Sequence, residues 1–169
     1  MTKKKDIRAL TKEQIRNFFV EQGDKAFRGN QVYEWLWIKN AYSFEGMTNL
    51  SKETRKMLHD NFVINHIEVD KMQRSNDGTV KNAIKLHDGL IVESVLIPTD
   101  SRTTACVSSQ VGCSLDCKFC ATARLKKMRN LNPDEIYDQV AAINKESLLY
   151  YHHKLSNIVF MGIDGRAHV

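Results

Sequence analysis

Residues 103–120 read T-T-A-C-V-S-S-Q-V-G-C-S-L-D-C-K-F-C. A β-patterned run, Thr103 to Ser108, leads directly into Cys113, Cys117 and Cys120, spaced C-x3-C-x2-C, with the aromatic Phe119 before the last thiol. Three thiolates on one tight loop can hold three irons of a [4Fe–4S] cube and leave the fourth iron without a protein ligand. Electron-transfer clusters normally take four cysteines. A cube held by three therefore has an open position where a substrate can bind and be reduced. A structural zinc site usually draws on a fourth Cys or His at regular spacing. The nearest histidines, His87, His152 and His153, have no such spacing, and Cys106 stands seven residues ahead of Cys113. A disulfide is disfavoured in a chain whose first residues carry no secretory signal.

Working outward, Pro133 starts a helix whose apolar face is Ile136, Val140 and Ile143, and Asn157 to Met161 reads as a strand. Strand, cysteine loop, helix, strand is the opening βαβ unit of a parallel α/β barrel. Upstream, three runs alternate with period two: Val63 to Met72, Thr79 to Leu86 and Leu90 to Ile97. They are separated by Asn76-Asp77-Gly78 and Asp88-Gly89 turns and closed by Pro98. The first sixty residues read helical. Thr11 with Gln14 forms a capping box before Ile15, Phe18 and Phe19, and Gly23 ends that helix. A second helix is predicted from about Asn30 with Val32, Trp35, Leu36 and Ile38 buried. A third opens at Ser51 with Met57, Leu58 and Phe62 inward.

The predicted fold is therefore an α+β N-terminal part, a small three-helix module plus antiparallel strands, followed by the start of an α/β partial barrel. The expected divisions are a helical accessory domain over 1–62, an antiparallel strand segment over 63–98, the first βαβ portion over 99–163, and a tail over 164–169.

Length 169 suits one domain or two small ones, and 42% apolar residues suffice for a core. No run of eighteen apolar residues is present, so no membrane span is expected, and the cytoplasm is the expected compartment. Lys and Arg number 25 against 20 Asp and Glu, a modest excess compatible with RNA. Arg124, Lys126, Lys127 and Arg129 follow directly on the cysteine loop. They are either phosphate holders or an ordinary solvated loop.

The cysteine spacing resembles the radical S-adenosylmethionine (SAM) signature. The wider run Cys106-Val107-Ser108-Ser109-Gln110-Val111-Gly112-Cys113, through Cys120, Ala121 and Thr122, resembles the RlmN/Cfr-type family of radical SAM RNA adenine methyltransferases. So do Lys25-Ala26-Phe27-Arg28, Ser75-Asn76-Asp77-Gly78-Thr79 with Lys81, and Val92-Glu93-Ser94-Val95 with Ile97-Pro98, so the resemblance covers about Ile7 to Gly162. It implies a [4Fe–4S] cluster on Cys113, Cys117 and Cys120, and SAM on the open iron, with Phe119 and Gly162 on the cofactor side. It implies methyl transfer to C2 of adenosine in 23S rRNA and tRNA through a methylated cysteine near the family's C-terminus. Glu93 then matches the acceptor of the C2 proton, a role expected to need burial. Cys106 matches the thiol that releases the product through a transient disulfide. An electron donor such as flavodoxin and a monomeric state are expected with it. Without the resemblance, Glu93 reads as a solvent-facing strand residue and Cys106 as a small buried apolar one.

The end of the chain departs from that family. Where the family continues Met-Gly-Met-Gly-Glu-Pro, this chain has Met161-Gly162-Ile163 and then Asp164-Gly165-Arg166-Ala167-His168-Val169. One codon choice for Asp164 to His168, read one base on, encodes Met-Gly-Glu-Pro-Met. A frame-shifted tail and an inactive N-terminal fragment are therefore expected. The alternatives are a non-catalytic RNA-binding module and a C8-specific, Cfr-like methyltransferase.

Overall fold

The computed structural model describes residues 4–113, 118 and 125–160. The chain divides into two compact units, residues 1–65 and 66–169.

The first unit is helical. A two-residue strand, β1 (Lys5–Asp6), and a 3₁₀ turn (Ile7–Ala9) precede α1 (Lys12–Glu21), α2 (Phe27–Trp37) and α3 (Lys52–Asn61). A second short strand, β2 (Phe62–Val63), pairs in parallel with β1. The capping box forms as the sequence requires: the Gln14 amide donates to Thr11 Oγ1 at 3.2 Å, and the Thr11 amide to Gln14 Oε1 at 2.8 Å. Ser51 caps α3 by accepting from the Thr54 amide at 3.1 Å. Ile7, Ile15, Phe19, Val32, Leu36, Met47 and Leu58 are buried together, with Met57, Phe18 and Phe62 packed against them.

Two expectations for α2 are corrected. It starts at Phe27 rather than about Asn30, and Ile38 is 74% exposed. The early start has a tertiary cause. A Cβ at Gly29 would lie 2.7 Å from the Arg16 backbone, so α1 and α2 approach closely there, a contact that periodicity cannot register. Ile38 is the residue after the last helical turn, where the chain leaves the apolar stripe.

The second unit is built on one five-stranded sheet, in the order β3 (Glu68–Arg74), β4 (Val80–Lys85), β5 (Ile91–Pro98), β6 (Thr103–Val107), β9 (Asn157–Phe160). The first four strands are antiparallel neighbours, and β6 and β9 are parallel, with Ala105 opposite Ile158. Between β6 and β9 run two-residue strands β7 (Gln110–Val111) and β8 (Arg129–Asn130), then α4 (Pro133–Tyr151). The predicted run Val63 to Met72 is split instead: β2 ends at Val63 and β3 begins at Glu68.

Strand alternation divides the sheet cleanly. Val80, Leu96, Ala105 and Val107 are buried against Ile143 of α4, with Ile136 and Val140 beside them. The other face carries Ala83, Glu93, Val95 and Cys106. Among the described residues, no helix is long and apolar enough to cross a membrane.

Candidate active site

The cysteine loop leaves the C-terminal end of β6, the end at which open α/β sheets bind ligands. Its base is closed by backbone. Leu131 donates its amide to Ser109 O at 2.8 Å, Met128 to Val111 O at 2.9 Å, and Cys113 to Leu125 O at 3.2 Å. Gly112 is the pinch. At φ +73° an added Cβ would fall 2.1 Å from the Lys126 carbonyl oxygen, so only glycine lets the two arms pass. Beneath the pinch, Gln139 of α4 holds Ser108 from both sides. Its Oε1 accepts from the Ser108 amide at 3.0 Å, and its Nε2 donates to Ser108 O at 3.1 Å.

Cys113 is buried at the start of this loop. Cys117, Cys120 and Phe119, and with them Gly162 and the tail 164–169, lie outside the described residues. Among the described residues, no three His, Cys, Asp or Glu side chains are grouped to hold a metal. The fit to an iron–sulfur cluster therefore rests on the donor chemistry of three closely spaced thiols, and on the glycine pinch that gathers the loop carrying them.

Arg124 of the basic run lies outside the described residues. Arg129 is tied to carboxylates, which departs from both readings of that run at this position. Its Nη1 and Nη2 donate to the two carboxylate oxygens of Glu135, each at 2.7 Å, and its Nε donates to Asp88 Oδ2 at 2.7 Å. Glu135, whose side chain is 3% exposed, also accepts the Asn132 amide at 2.8 Å, and His87 Nδ1 lies 3.3 Å from it. Burial pushes the Glu135 carboxyl upward, but the Arg129 hydrogen bonds and the Asn132 amide outweigh it and hold it below the usual range. Lys126 and Lys127 remain exposed.

Glu93 and Cys106 share the sheet face opposite α4, on adjacent strands. Cys106 stands across from Val95, so Glu93 is one diagonal step away. Burial pushes the Cys106 thiol up, favouring its protonated form. The expected burial of Glu93 is not found: its side chain is 50% exposed and Lys81 Nζ lies 2.7 Å from its Oε1. Lys71, Gln73, Lys81, Ala83 and Glu93 line a groove of about 430 Å³ over this face. Sequence reading missed Lys81 as the partner of Glu93; its sequence signal is its place two residues before Ala83, which pairs with Glu93.

In the first unit, Lys52, Arg55, Lys56 and His59 of α3 line a groove of about 360 Å³ with Glu45. This unit holds 12 of the 25 Lys and Arg but 8 of the 20 Asp and Glu, so it carries four of the five net positive charges.

Residues 5–64 match the family described as the ribosomal RNA large subunit methyltransferase N-terminal domain. The chain is 78% identical over 160 residues to a probable dual-specificity RNA methyltransferase RlmN of Flavobacterium johnsoniae, covering 95% of this chain and 46% of the relative. A protein of the same description from Cytophaga hutchinsonii is 58% identical over 161 residues, covering 95% and 44%. Among solved structures, a radical SAM methyltransferase from Sphaerobacter thermophilus matches at 28% identity and TM-score 0.77, over 96% of this chain and 49% of that one. The chain thus spans about half the length of the relatives it matches.

Proposed function

We propose, from its place as the N-terminal part of the RlmN-type radical SAM RNA methyltransferases, that this chain supplies the cofactor loop, the first strands and the helical accessory unit of an enzyme that methylates C2 of adenosine in rRNA and tRNA. Cys113, Cys117 and Cys120 are the residues that would hold a [4Fe–4S] cluster, with Phe119 and Gly162 on the side of SAM. Bound there, the cluster supplies the one-electron chemistry on SAM that an unacidic aromatic C–H bond demands.

The chain's own groups have separate tasks. Gly112 and the backbone bonds around it gather the loop's two arms. Glu93, steadied by Lys81, is the acceptor for the proton leaving adenine C2. Cys106 is the thiol that gives up its proton and bonds to the sulfur of the methyl-carrying cysteine as the bond from that sulfur to the base-bound carbon breaks, so the product leaves and a transient disulfide remains. Burial favours its protonated form until that step. The placement of Glu93 and Cys106 on one sheet face is the observation that best supports these roles. The positive balance of the helical unit supports an RNA partner. An electron donor such as flavodoxin completes the scheme, acting on a monomer.

By themselves these 169 residues are expected to bind cluster and RNA without turnover. Anaerobic reconstitution with iron and sulfide tests the reading. A brown protein that loses its colour in Cys113→Ala, Cys117→Ala and Cys120→Ala supports it, and uptake of zinc in place of iron and sulfide removes it.

A further inference from the structure

We infer that Arg129 is a positioning residue for the cysteine loop: it fixes the returning arm of the loop against two other elements and thereby sets where Cys113 presents its thiolate. The inference rests on the cluster reading above for its functional meaning, while its structural content stands on the chain alone.

The loop's two arms meet through a pairing only two residues long, Gln110 with Asn130 and Val111 with Arg129. So short a pairing is marginal without other support. Nearer the cysteine, the returning arm has little apolar anchorage, since Leu125 and Met128 are both largely exposed. Leu131 is buried, but it lies farther from Cys113 than Arg129 does. Arg129 stands across from Val111, two residues before Cys113. From there its guanidinium reaches the turn between β4 and β5 through Asp88, and the first turn of α4 through Glu135. Nη1 also donates to Asn130 O at 3.1 Å, bracing the arm itself. A planar fork held by two carboxylates, one of them buried, fixes direction as well as distance. A lysine would keep the charge and lose the fork.

The experiment compares the full 169-residue chain with Arg129→Lys and with the double variant Arg129→Gln/Glu135→Gln, which leaves no buried charge behind. Amide hydrogen exchange is followed on the chain without iron or sulfide. Exchange at the Cys113 and Met128 amides should quicken about tenfold in both variants, the factor expected when one charge-assisted hydrogen bond is lost. Amides of the β4–β5 pairing should keep their rates. After reconstitution, the reduced cluster of Arg129→Lys should give an altered electron paramagnetic resonance spectrum and lose iron to a chelator faster. Unchanged exchange at Cys113 and Met128, or a loss of protection spread evenly over the sheet, overturns the positioning role. If exchange responds as expected but the wild-type chain takes up no iron and sulfide, the cluster reading falls and with it the claim about the thiolate.

Discussion

The two units solve the burial problem differently. In residues 1–65 every helix turns its stripe onto one shared core, and Phe19, Leu36 and Leu58 are fully buried. In residues 66–169 the sheet carries α4 on one face, no described residue of that unit packs over the other, and strands β3 and β9 are exposed along their lengths. On β9 the exposed residues include Ile158, Val159 and Phe160. The first unit closes its own core. Among the described residues of the second, one sheet face and two edge strands carry no covering element, and Glu93 and Cys106 stand on that face.

That contrast can be broken most directly by truncating large side chains in each unit. Phe19→Ala or Leu58→Ala should cost about 3–5 kcal/mol in urea unfolding followed by probes in residues 1–65. Phe160→Ala on β9 should cost about 1 kcal/mol or less in the second unit, because nearly half of that ring is already in water. Equal losses would erase the distinction.

Gly112→Ala should come next. The positive φ alone costs about 1–3 kcal/mol, before the clash with the Lys126 carbonyl is counted. The expected result is lost protection of the Met128 amide and failed cluster uptake, with the helical unit melting unchanged.

The charge contrast is tested with RNA. In the chain with Lys52, Arg55 and Lys56 all changed to Ala, the slope of log affinity against log salt should fall by up to about three, one for each phosphate contact removed. Lys126→Ala/Lys127→Ala in the second unit should do less. Fluorescence anisotropy over a salt series measures both, and the reverse ranking would move the RNA surface to the other unit.

The smallest effects concern two carboxylates on one helix. Glu135, held below the usual 4.5, contributes stability that is present above 4.5 and lost as pH falls through its lowered folded value. Glu146 is pushed the other way: burial raises it, although Asn82 Nδ2 donates to both its oxygens at 2.9 and 2.8 Å. Its contribution is present below 4.5 and lost as pH rises through its raised value. Thermal melts against pH should show opposite slopes that disappear separately in Glu135→Gln and Glu146→Gln.

What was legible in the sequence was local or periodic. The Thr11–Gln14 box, the Ser51 cap and the alternating strands each need only neighbours in the chain to be recognised. The spacing of the three cysteines is a feature of the sequence itself, and of the three Cys113 lies among the described residues. What escaped depends on partners brought together by the fold. Arg129 read as one cation in a basic run, since nothing local shows that Asp88, 41 positions away, would share it with Glu135. Glu93 reads from its strand alone as solvent-facing, as it is found; only the role implied by the resemblance asked for burial, and its partner Lys81 needed the strand register to appear. The start of α2 was hidden in a helix crossing at Gly29.

Strand β9 has a practical consequence at the bench. Among the described residues no further strand pairs with β9 beyond β6, and its backbone donors and acceptors there lie next to three greasy side chains, a template on which another strand, of this chain or of a second molecule, can add. If a second molecule supplies that strand, how long a preparation stays clear depends on how concentrated it is.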